Sequence, residues 1–132
     1  MKLLGEVVLL MNESDLHKEW SASDIFNIIR PPLLLDQYVT HREDGLLVGF
    51  GTCAFMNDQS LDDFLNGRRR VEFRDFVSGN NVVLVDVIAP KGHGRFITSE
   101  IRKSLVKQGY KGKTIKYVRY YGPDRVAKES LL

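Results

Sequence analysis

Cysteine is almost missing from this 132-residue sequence, where Cys53 stands alone. One thiol can build neither a disulfide framework nor a cysteine-rich zinc site, and the count fits a reducing compartment. Histidine is sparse too, with three residues and no H-x-x-x-H pair, so no metal site is expected. No apolar run approaches the roughly 18 residues of a membrane span. The opening Met1-Lys2-Leu3-Leu4-Gly5-Glu6 breaks its apolar stretch with an acid and offers no small-residue cleavage site, which argues against a signal peptide. Repeats, low-complexity stretches and linkers are absent. What remains is average globular chemistry, 43% hydrophobic and 27% charged, which excludes disorder. The length gives one core and not two. The expectation is one domain over residues 1–132, in the cytoplasm.

The formal net charge of +2 conceals a division. Residues 1–90 carry eight lysines and arginines against fourteen acids, a net of −6. Residues 91–132 carry eleven against three, a net of +8. Such a field steers an acidic partner to one end of the molecule, although a plain solvated basic surface explains the same count. The basic half lacks the interleaved stacking residues of an RNA-binding sheet and any zinc finger or zipper, so nucleic acid is not the expected partner. An acidic protein or a phosphate-bearing ligand fits.

Leu3, Val7 and Leu10 share a helix face, although an apolar strand fits the same run, and Asn12-Glu13-Ser14 ends it. Ser23-Asp24 offers a cap ahead of Ile25, Phe26, Ile28 and Ile29, with Pro31-Pro32 expected to stop that helix. Asp44-Gly45 predicts a hairpin between residues 37–41 and 46–56. On its second strand Gly49 and Gly51 share a face with Cys53 and Phe55, leaving a groove where something can approach the backbone. A short capped helix over residues 60–65 ends near Gly67. Val82 to Ala89 then forms a strand buried on both faces. A basic glycine loop follows, then a helical stripe from Phe96 to Gly109 and a last strand over 114–120. The fold class is α/β, a mixed sheet flanked by helices whose final strand–helix–strand is a parallel unit.

Three places can carry chemistry. Asp86 interrupts Val-Leu-Val-Asp-Val-Ile-Ala, where a carboxylate is costly unless a cation or several donors answer it. It is either a structural acid or a residue that holds a base in one tautomer. His17, at a break between helices with Leu16 and Trp20 beside it, has the ordinary pKa of a general base near neutrality, although taken singly it also reads as a surface histidine. Lys91-Gly92-His93-Gly94-Arg95, between a strand and a helix, can turn backbone N–H groups and two cations towards a phosphate. Cys53 has no basic neighbour and reads as a small buried apolar residue. Arg68-Arg69-Arg70 reads as a solvated loop or a contact for an acidic partner.

Leu4-Gly5-Glu6-Val7, Ser14-x-Leu16-His17-x-x-Trp20, Pro32 with Asp36-Gln37-Tyr38, Cys53-Ala54 and Asp86-x-Ile88-Ala89-Pro90-x-Gly92 occur here in one order. Together they resemble the RTX toxin-activating lysine acyltransferases, the hemolysin-activating proteins of Gram-negative bacteria, over about residues 4 to 120. The resemblance implies a GNAT-like fold. It implies transfer of a fatty acyl group from the phosphopantetheine thioester of acyl carrier protein to internal lysines of an RTX-type protoxin. His17 matches the family's catalytic histidine, Asp86 its partner aspartate, and Ser14 a serine with a supporting role. Lys91, Gly92, His93, Gly94 and Arg95 match the region where GNAT enzymes hold coenzyme A phosphates; here they would hold the carrier's single phosphate. No permanently bound cofactor is implied, and a homodimer is. This sequence stops soon after its last expected strand, where typical relatives continue with a longer C-terminal tail. Two other readings stand beside this one, a GNAT acetyltransferase using acetyl-CoA and a non-catalytic basic binding module.

Overall fold

Residues at helical spacing bury one side of α1 (Lys2–Met11), where Val7, Leu10 and Met11 are inside. The computed structural model describes residues 2–132. A second helical segment begins with α2 (Ala22–Asp24), widens into a π-helical turn (Ile25–Ile29) and tightens again in α3 (Arg30–Leu35). Its cap is Ser21, two residues before the expected Ser23, in a reciprocal box with Asp24. Pro31 and Pro32 do not stop the helix. They occupy the first turn of α3, where a missing N–H costs nothing, because the wide turn before them already breaks the regular ladder. The Arg30 side chain donates to the carbonyl of Phe26, which a proline cannot serve. The segment ends at Asp36, in the left-handed region at φ 58°.

β1 (Tyr38–Glu43) and β2 (Leu46–Met56) form the hairpin, with Asp44 and Gly45 both at positive φ as the tight turn requires. α4 (Asp58–Asn66) is capped by Asn57 and closed by left-handed Gly67. A 3₁₀ turn (Phe73–Phe76) precedes β3 (Asn81–Ile88). α5 (Gly94–Leu105), extended by a π-helical turn to Tyr110, carries the chain to β4 (Thr114–Tyr121), parallel to β3. The chain then turns at Gly122 into β5 (Asp124–Leu131), antiparallel to β4 along its whole length. This fifth strand lies beyond the strand expected to be last. Its residues are almost all exposed, so no apolar alternation announces it in the sequence.

The sheet runs β1-β2-β3-β4-β5, and its central strands are covered on both faces while β5 is exposed. On one face α1 and residues 22–35 pack Val7, Leu10 and Ile29 against Phe50 and Ile88, with a neighbouring cluster around Met56, Phe76 and Val83. On the other, α5 packs Ile97, Ile101 and Leu105 against Cys53, Val82 and Ile115. The groove expected beside Gly49 and Gly51 is therefore filled by the protein itself. A Cβ at Gly51 would overlap Ile97 and stand 2.9 Å from Ile101 Cδ1. Gly51→Ala is expected to lose about 1–3 kcal/mol by forcing α5 outward, read as a lower urea midpoint with native circular dichroism before the transition.

The three consecutive arginines are not a free solvated loop, because each faces an acid. Arg68 pairs with Asp62, Arg69 reaches Asp63 at 3.0 Å and Asp75 at 2.7 Å, and Arg70 stands 3.3 Å from Asp24. Asp75 is buried, and burial alone would raise its pKa. Hydrogen bonds from Arg69, from the Ser60 hydroxyl and from the Glu72 backbone outweigh that and hold it at about 2. The sign follows from that depression: the stabilisation is complete above the ordinary carboxylate value of about 3.9 and disappears as pH falls through about 2. Asp75→Asn should therefore cost about 3 kcal/mol at neutral pH, and its stability should fall less steeply than the parent's between about pH 4 and 2, as followed by urea unfolding.

Candidate active site

After α1 the chain folds into a run of tight turns, with the amides of Ser14, His17 and Trp20 donating to carbonyls three residues earlier. These turns place His17 inward, 3% exposed, with the Trp20 ring tilted over it at 4.8 Å between centroids. Leu16, expected to share in shielding it, points outward and is 61% exposed.

Asp86 meets His17 because of an irregularity in β3. Thr52 pairs with Asp86 while the next residue, Cys53, pairs with Leu84, so Val85 is an extra residue. Strict alternation would send Val85 and Asp86 to opposite faces. The bulge lets Val85 join the cluster around Met56 and Phe76 while Asp86 turns to the same side and reaches His17. At the point where the pairing breaks, Gln37 Nε2 donates to the carbonyls of Cys53 and Phe76, tying the end of α3 to β2.

His17 Nε2 lies 2.8 Å from Asp86 Oδ1, and Nδ1 lies 2.6 Å from Ser14 Oγ. With Asp86 ionised, Nε2 carries the proton it donates to the carboxylate, so the lone pair of neutral His17 resides on Nδ1 and accepts from the Ser14 hydroxyl. The three expected catalytic residues are thus one connected chain. Asp86 Oδ2 and the Thr52 hydroxyl, on paired residues of β3 and β2, are buried with no hydrogen-bond partner among the described residues.

Two hollows flank this chain. One, about 300 Å³, lies on the His17–Asp86 side; Leu16, Trp20, Ile28, Phe64 and Val85 give it apolar walls, and Tyr120 and Arg125 close it. Arg125 is held there by donating to the carbonyls of Phe64 and Leu65 at the end of α4. The other, about 320 Å³ and more open, joins Ser14 to Val87, Ala89, Pro90 and Gly94. Leu16 borders both. β3 and β4 pair only at Val82–Ile115 and Val83–Lys116, so both hollows open where the two strands separate.

The basic loop follows directly. Gly92 has φ 92°, and α5 starts at Gly94. Lys91 and Arg95 are exposed, Lys91 with Glu13 at 3.9 Å and Arg95 with no acid within 4 Å among the described residues. His93 differs, since it turns towards Glu43 of β1. Cys53 is buried, and burial pushes its thiol up to about 11, so the thiolate is scarce at neutral pH. Cys53→Ala is expected to keep full acyl transfer, and native protein should react with iodoacetamide far more slowly than urea-unfolded protein, as read by intact mass.

Trp20, Tyr120 and Arg125 complete the site beyond the residues singled out from the sequence for chemistry. Trp20 falls within the motif around His17, whereas Tyr120 and Arg125 reach the cavity through the β4–β5 ribbon and no local pattern marks them.

A mixed sheet that parts beside a parallel strand–helix–strand unit, with a buried histidine and carboxylate at the parting, is consistent with the GNAT-like class. The chain belongs to the RTX toxin acyltransferase family, whose model matches residues 1–129. It is 30% identical over 118 residues to a lysine-acyltransferase of Vibrio cholerae, an alignment covering 87% of this chain and 77% of that protein. It is 31% identical over 107 residues to an uncharacterised protein of Synechocystis, covering 80% and 73%. A protein-lysine myristoyltransferase of Kingella kingae is 28% identical over 100 residues, covering 76% of this chain and 60% of that protein. No helix among the described residues is long and apolar enough to cross a membrane.

Proposed function

We propose that this protein is a protein-lysine fatty acyltransferase that takes its acyl group from acyl carrier protein and modifies internal lysines of an RTX-type protoxin in the cytoplasm. The observation that carries the reading is the Ser14–His17–Asp86 chain, set between an apolar cavity and a cleft leading to the basic loop. Relatives named for lysine acylation support the reaction class.

The donor's phosphopantetheine phosphate sits at Lys91–Arg95, where the α5 N-terminus and two cations favour an anion. The arm follows the cleft towards Ser14, and the acyl chain enters the apolar cavity beyond His17. A lysine amine is protonated near neutrality and must lose protons to become a nucleophile and then a neutral amide. The ammonium gives its first proton to solvent. Because the available His17 lone pair faces Ser14, the second leaves through Ser14 as the amine attacks: it goes to Oγ while the hydroxyl proton goes to Nδ1. The new N–C bond forms, the C–S bond breaks, and the imidazolium, stabilised by Asp86, returns the proton to the departing thiolate. Backbone N–H groups of β3 beyond its pairing with β4 are available to the thioester oxygen. The acidic carrier docks on the basic half. Among the described residues, only Lys91 and Lys103 of its eleven cations have an acid within 4 Å. A homodimer, implied by the resemblance, belongs to the same proposal.

The decisive assay follows acylation of a protoxin lysine by mass spectrometry, with circular dichroism on each variant. His17→Ala should abolish most transfer while acyl carrier protein still binds. Asp86→Asn should lower the rate about 10²–10⁴-fold. The double variant should be little worse than the worse single one, since the residues act as a unit. Ser14→Ala should slow transfer, and intact-mass analysis should show no acyl adduct on the parent enzyme during turnover. Folded His17→Ala protein that acylates at a near-parental rate overturns the assignment. Tight coenzyme A binding with indifference to acyl carrier protein would instead make the protein an acetyltransferase.

A separate measurement tests the loop. Lys91→Glu with Arg95→Glu should raise the apparent KM for acyl carrier protein and flatten its salt dependence with little change in folding. Unaltered affinity and salt dependence would remove the loop from docking.

A further inference from the structure

Away from the acyl-transfer chain, two histidines and a glutamate converge near the turn end of the β1–β2 hairpin. His41 and Glu43, two residues apart on β1, share a face, while His93 comes from the loop before α5. His93 Nε2 stands 3.2 Å from Glu43 Oε1, and His41 Nε2 stands 3.7 Å from the same oxygen. The two imidazoles meet edge to face, with centroids 4.9 Å apart. No pair among the three donor atoms exceeds 4.8 Å.

These spacings suit a shared ion better than hydrogen bonds. A separation of 3.7 Å is too long for a hydrogen bond. Two ligands about 2.1 Å from a tetrahedral zinc ion stand roughly 3.4 Å apart, between the two measured nitrogen–oxygen distances. The surroundings also set the donors in place. The His41 ring packs at a tilt against Phe96, 4.1 Å between centroids, and its pairing partner is Gly49, beside which Ile97 packs closely. Both histidines are about three-quarters buried, whereas Glu43 is half exposed and gives an ion access from solvent.

We propose that His41, Glu43 and His93 bind one divalent first-row transition ion, with zinc as the best match in ligand type and geometry. Two imidazoles and a carboxylate are a borderline-soft donor set, and three protein ligands leave a position for water. The ion would tie the Lys91–Arg95 loop to the hairpin. The inference rests on the three side chains and not on the acyltransferase reading.

The test uses the full chain freed of metal with a chelator, titrated with zinc ions alone by isothermal calorimetry. The expected result is one zinc per chain with a rise in melting temperature. Binding should be lost in His41→Ala, His93→Ala and Glu43→Gln, and kept in His17→Ala. Glu43→Gln changes one exposed atom, so it decides the matter if a histidine variant fails to fold. Limited proteolysis should cut the loop around Lys91–Arg95 more slowly with zinc. Absence of stoichiometric binding, binding that survives in Glu43→Gln, or binding lost with His17 each overturns the proposal.

Discussion

Asp86 is a carboxylate set in an apolar strand, and much of the site depends on how that charge is answered. Removing a carboxylate from water without partners costs several kcal/mol, so the charge needs a donor at hydrogen-bond distance. His17 is that donor, brought from a turn 69 residues away in sequence. A regular β3 would send Asp86 towards α5 and Val85 alone towards the α1 face. The extra residue in the register joins the strand that forms the core to the carboxylate that fixes the His17 imidazole.

The division of charge has a structural counterpart. In the first ninety residues most basic groups are paired locally, as Arg42 is with Glu6, Arg69 with Asp63 and Asp75, and Arg70 with Asp24. In the C-terminal part most cations face no acid among the described residues; they are spread over the basic loop, α5, the segment before β4, and the β4–β5 ribbon, which packs little apolar surface. A surface of this kind contributes little to folding and a great deal to long-range attraction of an anionic partner.

The sequence was legible wherever local chemistry and burial agree. Asp44-Gly45 makes its hairpin because both residues adopt positive φ, and Val82 to Ile88 becomes a central strand because nearly every side chain is apolar. Ser14, His17 and Asp86 were each visible, and the structure unites them. Other features depend on tertiary partners that no local pattern contains. Pro31 and Pro32 suggest a stop, but a preceding π-helical turn accommodates them. Gly49 and Gly51 suggest an open groove, but Ile97 arrives from 46 or more residues away to fill it. β5 escapes notice because a strand exposed on both faces has no alternation to display. His41 and His93 lie far apart in sequence, so no spacing rule joins them.

Occupation of both ring nitrogens of His17 constrains the order of events. A base whose lone pair already accepts from Ser14 cannot meet an incoming amine directly without first losing that hydrogen bond. Routing the proton through Ser14 retains the bond and keeps the imidazole in a single orientation, fixed on its other side by Asp86 and covered by Trp20. In the proposed reaction it would also place the reacting carbonyl on the Ser14 side, where the open cleft leads to Gly94, and leave the less open, apolar cavity for the part of the donor that reacts with nothing. Leu16, exposed yet bordering both hollows, would in that proposal be the side chain past which the acyl chain turns. Thus the same short turn that presents His17 to Asp86 also divides the two hollows that the proposal assigns to the reacting end of the donor and to its hydrocarbon.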